Sequence, residues 1–512
     1  MFLGICIGLI FTTYNILHNV RFCKFVFQYA TMQRTILAFF LITFSVALFM
    51  LLGPAQLVPD RDEMHSILSA HAVVGKRNIA FNGICDTLIP AEKWQEAIRA
   101  NPTFSPKIVM NHQLMYDIHP PLYFMILHTV YLIIDDYLIG GYLLQLVLLV
   151  CFIVLIKSWQ KKNIFQLLIL LGLLPGLFIP FAEIRHYGLL LIWAVLSLWM
   201  IHKLELKWTI NAFSVFLISG VGGMLTHFLF FPWMVSLLIA TCLFWKNKKQ
   251  AFILVAGWIS ILIALWILIP SLSYQIGQLI TSSKSDFSSF SNRLTNLIFG
   301  ITGLFFPVWS FKLSAWKFLP WVLLIPAIIW TFYCMYYFFL CFSKHKISLF
   351  TSVLFLTLYS FLFSAGKLPI HASGVKYLSL ACVGMIPVMF DYLSKISRSA
   401  IYASLWWVIC WSGEYSIRLR ERRMLYEILQ PEYSFYASRA DVFSTLRFII
   451  SMDPNKKIYV KSKPNDDIKL ATFDQIWQVW DDTIQNNINS THEAFPMRVR
   501  GFVVEGILFL KK

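Results

Sequence analysis

Pro59-Asp60-Arg61-Asp62-Glu63-Met64-His65 and, further on, Tyr116-Asp117-Ile118-His119-Pro120-Pro121-Leu122-Tyr123 bracket the stretch that decides how this chain is read. Most of the remaining sequence is apolar, in runs of a length suited to lipid. A segment dense in Asp, Glu, His, Lys and Pro directly after a long hydrophobic run therefore belongs in water. Water-seeking loops between lipid-length runs describe an α-helical polytopic membrane protein, and this stretch is its expected active loop.

Composition agrees. Of 512 residues, 58% are hydrophobic and 13% are charged, against about 25% charged in a soluble domain. The formal charge of +17 would suggest nucleic acid in a soluble chain. Here Lys and Arg fall in short loops between apolar runs, as the positive-inside rule expects, so the bilayer is the partner and nucleic acid is not. The nine cysteines are scattered, with no paired spacing of a disulfide framework or zinc site.

Working outward, the run from Ile36 to Gly53 precedes the stretch, and Arg21, Lys24 and Arg34 precede that run. With those cations cytoplasmic, the run exits outward and residues 54–136 form a large first extracytoplasmic loop. Residues 1–34 are then an N-terminal extension or extra helix. Pro120 to Ile134 is short for a span and reads as interfacial or re-entrant, which places Lys157, Lys161 and Lys162 inside. Alternation continues through Tyr137 to Ile156, Ile164 to Pro180, Tyr187 to Ile201, Trp208 to Leu225, Phe228 to Trp245 and Ala251 to Pro270. After a polar outer loop at 271–296, Leu297 to Phe311 reads as re-entrant. Leu319 to Phe342, Leu349 to Phe363, Tyr377 to Phe390 and Ile401 to Trp411 complete about 11–13 helices. The domain bounds are thus 35–413 for the membrane part and 414–512 for a small α/β tail on the outer face. In that tail, Lys457 to Val460 reads as a strand after an Asp-Pro-Asn turn, and Phe473 to Trp480 as helix or strand.

Under this topology the polar clusters fall at the outer ends of spans: Asp62-Glu63, Asp117 to Pro121, Glu183-Ile184-Arg185-His186-Tyr187, Thr226-His227, and Lys367 to Lys376-Tyr377. Each alone is accounted for by a loop's need for polar residues. Together, carboxylates and cations on one face suit a reaction in which a hydroxyl loses a proton while a phosphate departs.

The order Asp-Glu, Asp-x-His-Pro-Pro-Leu-Tyr, Glu-x-Arg-x-Tyr-x-Leu-Leu and Thr-His-Phe, from Asp62 to His227, resembles the lipid-linked glycosyltransferases of the GT-C superfamily. The nearest branch is that of the protein O-mannosyltransferases and the lipid A aminoarabinose transferases. A weaker match at Val375-Lys376-Tyr377-Leu378 extends the likeness to about Phe390, and it stops at the tail. The resemblance implies a GT-C type fold and transfer of a sugar, with inversion, from a polyprenyl-phosphate donor to an extracytoplasmic acceptor, which would be a glycan, lipid or protein. It also implies location in a bacterial cytoplasmic (inner) membrane with the active site facing outside. Asp62, Glu63 and Asp117 are then the expected catalytic acids, and Arg185 and Lys376 the donor-phosphate cations. Lys376 stands where relatives carry Arg, and His186 stands in a Glu-Ile-Arg-His-Tyr run where Glu-Ala-Arg-Met-Tyr is commoner. His119, Glu183, His186, Tyr187 and His227 are expected to contact substrate or organise the loops.

No cofactor is required by these residues. A divalent metal held by Glu or His of this face is compatible with them, though no ligand spacing demands one, so its identity stays open. Pro120-Pro121 suits the start of a helix better than a substrate contact. The alternative function is a transporter or lipid flippase, since acids and many spans also suit translocation. Transporters place charges near the midplane and carry internal repeats, whereas here the acids are at span ends and no repeat is visible.

Overall fold

In a computed structural model the described residues are 58–59, 61–71, 87–98, 106–116, 119–161, 167, 170–171, 174–269, 319–359, 372–393, 422–423, 426–427, 429, 435–437, 448–460, 475–479, 492–499 and 503–511. The expected extension 1–34, the run Ile36 to Gly53, the loop 271–296, Leu297 to Phe311 and Ile401 to Trp411 lie outside them.

The chain is mostly helical. Helix α1 (Arg61–Ala70) opens the polar stretch, followed by a two-residue strand β1 (Ile89–Pro90), α2 (Ala91–Ile98) and α3 (Pro106–Tyr116). Helix α4 (Leu122–Tyr131) starts where the Pro-Pro pair suggests, with Pro121 as its N-cap. It runs back along the first turns of α5 (Tyr137–Gln160): a Cβ at Gly140 would meet the Tyr131 ring at 3.2 Å, and Gln145 bonds the Tyr123 hydroxyl. Asp136 caps α5 by accepting from the Leu138 and Ile139 amides at 2.9 and 2.8 Å, and the helix ends with Lys161 in the left-handed region at φ 50°.

Helices α6 (Tyr187–Leu206), α7 (Ile210–Thr226), α8 (Phe230–Phe244) and α9 (Lys248–Leu268) follow in close succession. Single polar residues cap the starts of α7 and α9: Thr209 accepts from the Ala212 amide at 3.3 Å and Asn247 from the Gln250 amide at 3.2 Å. Helix α10 (Leu319–Leu358) breaks at His345 (φ −122°, ψ 34°), inside Lys344-His345-Lys346. The basic triplet separates two apolar runs, and the kink is where one segment hands over to the next. Helix α11 (Ala372–Leu393) packs against it.

Four helices among the described residues are long and apolar enough to cross a membrane by length and composition: Tyr137–Gln160, Tyr187–Leu206, Lys248–Leu268 and Phe338–Leu358, the last of which contains the break at His345. The burial pattern of α9 shows why its solvent is lipid. Ala251, Leu254, Trp258 and Leu265 form one packed stripe, while Phe252, Ile253, Ile259, Ile263, Trp266 and Ile267 are exposed. A face so apolar suits hydrocarbon, and together with the four lipid-length apolar helices it makes the chain an α-helical integral membrane protein.

Because lipid offers no hydrophobic drive between helices, close packing of small residues joins them. A Cβ at Gly222 would lie 2.5 Å from the Trp193 ring, and one at Gly220 2.7 Å from Trp258. Between α10 and α11, Ser352 Oγ donates to the Ala381 carbonyl at 2.7 Å, next to Gly384.

The remaining strands are β2 (Phe435–Ala437), β3 (Lys457–Val460), β4 (Gln475–Val479), β5 (His492–Val499) and β6 (Val503–Lys511). They form one sheet of order β1-β3-β2-β4-β6-β5. Strands β3, β2 and β4 are parallel, and β4, β6 and β5 antiparallel. The polar stretch supplies the edge through β1, which pairs Ile89 with Ile458. Gln95 of α2 strengthens the attachment by donating to the Ile449 and Met452 carbonyls at 3.0 and 2.9 Å. The stretch near residue 90 and the C-terminal residues are therefore one structural piece.

Gly384→Ala should separate α10 from α11, because the added Cβ would lie 2.2 Å from the Ser348 carbonyl oxygen, a backbone atom that cannot rotate away. The expected loss is on the order of 1–3 kcal/mol, as for overpacked cores, read as a lower unfolding midpoint in detergent micelles. Gly257→Ala, whose Cβ would meet the Phe213 and Leu217 side chains at 3.0 and 3.1 Å, should cost distinctly less.

Candidate active site

The polar end of α1 is built around a buried ion pair. Asp62 and Glu63 occupy the first turn, where carboxylates complement the helix dipole. The Glu63 carboxylate is 1% exposed and pairs with Arg422 at 2.7 Å. It also accepts from the Tyr142 hydroxyl at 2.6 Å and, at a longer 3.4 Å, from the Ile184 amide. Arg422 adds hydrogen bonds to the Val58 carbonyl at 2.7 Å and to the Tyr142 hydroxyl at 2.8 Å. Glu63 thus ties together α1, α5, the turn before α6 and a C-terminal residue. Its oxygens are engaged by a cation and by donors, an arrangement that anchors the start of α1.

Asp62 is only half-buried. Its carbonyl accepts from Arg185 Nη1 at 2.9 Å, and the same nitrogen lies 3.4 Å from Ser66 Oγ. The Arg185 guanidinium sits 5.8 Å from the centre of the Tyr187 ring. Its burial opposes its charge, but the Asp62 carboxylate and the Tyr187 and Tyr377 hydroxyls outweigh this and raise its pKa above the ordinary value. A buried, permanently charged guanidinium results. Its Nε has no acceptor among the described residues. The main chain at this point is held by Gln145, which donates to the Arg185 carbonyl and the Tyr123 hydroxyl, both at 2.8 Å.

Beside this cluster lie three imidazoles from separate segments. His119 stands just before α4, His186 is the N-cap of α6 and His227 the C-cap of α7. Ring centroids are 5.1 Å apart for His119–His186, 5.6 Å for His119–His227 and 4.4 Å for the stacked pair His186–His227. Tyr187 joins them at 4.2 Å from His186 and meets Tyr377 edge-on at 5.5 Å. Among the described residues these three are the ones placed to hold a metal.

The structure therefore brings Asp62, Glu63, Arg185, His186, Tyr187, His119 and His227 to one end of the helices. Glu183 is half-buried in the turn before α6, where its carbonyl accepts from the Arg185 amide at 2.7 Å. Asp117 lies outside the described residues. Lys376 lies in the first turns of α11, with its side chain outside the description.

Three residues of this end escaped the sequence reading. Arg422 sits among Arg418, Arg420 and Arg423, and nothing local distinguishes which cation turns inward. Tyr142 and Gln145 lie within an apolar run. Gln145 carried a usable signal, since an amide inside a lipid-length run needs a partner. Compared with protein-family models, curated proteins and solved structures, the chain matches none.

Arg422→Ala would leave Glu63 buried without its counter-charge. Loss of one partner of such a pair costs on the order of 3–5 kcal/mol, so the unfolding midpoint should drop sharply. Adding Glu63→Gln to that variant should restore part of the loss, because the uncompensated charge is then removed. A double variant as unstable as the sum of both singles would show that the pair is not coupled.

Proposed function

We propose that the chain is a glycosyltransferase of GT-C type that moves a sugar from a polyprenyl-phosphate donor to a hydroxyl acceptor outside the cytoplasm. The observation that carries this reading is the charged, buried Arg185, bonded to the backbone of the half-buried acid Asp62 and having an Nε–H without an acceptor among the described residues. A buried donor of this kind calls for an acceptor, and a guanidinium binds an anionic oxygen most strongly. An acid for the acceptor's proton and a fixed cation for the departing phosphate are the two groups this transfer needs.

In the proposed step, Asp62 accepts the acceptor hydroxyl's proton as that oxygen forms its bond to the anomeric carbon. The bond from that carbon to the phosphate oxygen breaks on the opposite face, its electron pair leaves with the phosphate, and the configuration inverts. Arg185 meets the growing negative charge, and because it is already held in place it stabilises the transition state more than the ground state. Lys376 is the second cation of this scheme. The residues 54–136 and 414–512 lie on the outer face of a bacterial inner membrane in this reading, and the sheet shared by β1 and β3 supports placing both on one side.

Purified protein incubated with a panel of radiolabelled polyprenyl-phosphate sugars should consume one of them. Asp62→Asn should abolish consumption while the protein stays folded, since the amide keeps the shape but takes no proton. Arg185→Ala should slow it by on the order of a hundredfold. Near-normal turnover by Asp62→Asn would remove Asp62 as the base, and movement of an intact donor across a vesicle without cleavage would favour a flippase.

A further inference from the structure

We propose that His119, His186 and His227 form a binding site for a single transition-metal dication of the zinc class, a site that depends on neither Asp62 nor Arg185. One nitrogen from each ring lies within 4.8 Å of the others. Around a four-coordinate zinc with Zn–N bonds of about 2.0–2.1 Å, ligand nitrogens are roughly 3.3 Å apart. The nitrogens must close by up to about 1.5 Å to reach that spacing, and each histidine stands at a helix boundary, not in its middle. No carboxylate joins the set among the described residues. Three neutral imidazoles favour zinc, copper or nickel over the hard, oxygen-seeking magnesium and calcium.

The surroundings suit a held ion. His186 is fully buried, with Tyr123 and Phe124 each 6.2 Å away and Tyr187 at 4.2 Å, centre to centre. An aromatic wall of this kind restricts water and strengthens a metal–ligand bond. His227 Nδ1 accepts from the Leu229 amide at 2.9 Å, which places the neutral ring's proton on Nε2. Coordination through Nδ1 then displaces that neutral hydrogen bond, a weak interaction beside a metal–nitrogen bond. With three protein ligands the ion keeps a fourth position for water. Its structural effect is to cross-link the entry to α4, the entry to α6 and the end of α7.

The test uses full-length protein in detergent micelles, stripped with a chelator and titrated with Co2+ alone. One equivalent should bind saturably, with the visible ligand-field band of a four-coordinate ion, and Zn2+ should bleach that band. His119→Ala and His227→Ala should each weaken binding by at least about a hundredfold, more than the roughly 10–100-fold seen when only a ligand's supporting residue is lost. Helical circular dichroism of both variants should match the parent, which separates lost ligation from lost fold. His71→Ala should bind as the parent does. His71 is a buried ring stacked on Tyr131 at 5.1 Å, its pKa pushed down to about 3 by burial and by neighbouring His128. Absence of saturable Co2+ binding by the parent, or parental affinity in both histidine variants, would reduce the cluster to aromatic packing.

Discussion

A carboxylate with 1% of its side chain exposed must be compensated or the fold around it fails, and Glu63 is that carboxylate. Removing a carboxylate from water costs several kcal/mol, and Arg422, Tyr142 and the Ile184 amide offset that cost. Each partner comes from a different part of the chain, so satisfying Glu63 fixes the start of α1 against α5, the turn before α6 and the C-terminal segment at once. Successive residues of a helix point about 100° apart. With Glu63 turned into the protein, Asp62 is directed elsewhere and stays half-exposed, with its carbonyl on Arg185. One buried pair therefore sets the positions of the acid and the cation.

The two ends of the helices are chemically unlike. At one end are Asp62, Arg185 and the three histidines. At the other, Lys344 and His345 converge on Asp391, His345 at 2.8 Å, His202 lies 3.2 Å from Ser348 Oγ, and Lys248 caps the end of α8 through the Cys242 and Leu243 carbonyls at 2.6 and 3.1 Å. Helix α6, with 20 residues and thus about 30 Å long, joins them. Basic residues thus gather at one end and a mixed, partly buried polar set at the other.

Much of this was legible in the sequence, for identifiable reasons. The apolar runs Tyr137 to Ile156, Trp208 to Leu225 and Ala251 to Pro270 locate α5, α7 and α9, because hydropathy acts locally. The polar clusters at Asp62, Arg185 and His227 were visible as interruptions of those runs. The division of labour between adjacent acids was not: Asp62 and Glu63 are alike in sequence, and only the tertiary position of Arg422 makes one an anchor. Nor was the meeting of His119, His186 and His227, since three single histidines in three segments carry no spacing that announces a cluster. The strand β1 was hidden for the same reason, as two residues, one of them a proline, become a strand only when β3 supplies the partner.

Glu63 and Arg422 hold α1 in place, and amide hydrogen exchange of α1 reads that hold. In the parent protein the amides of α1 should exchange slowly, as expected for a helix whose inner face is buried. In Arg422→Ala, exchange across α1 should accelerate by an order of magnitude or more, while the amides of α6 keep their parental protection. Unchanged protection of α1 in that variant, with the protein still folded, would contradict the claim that this buried pair positions Asp62.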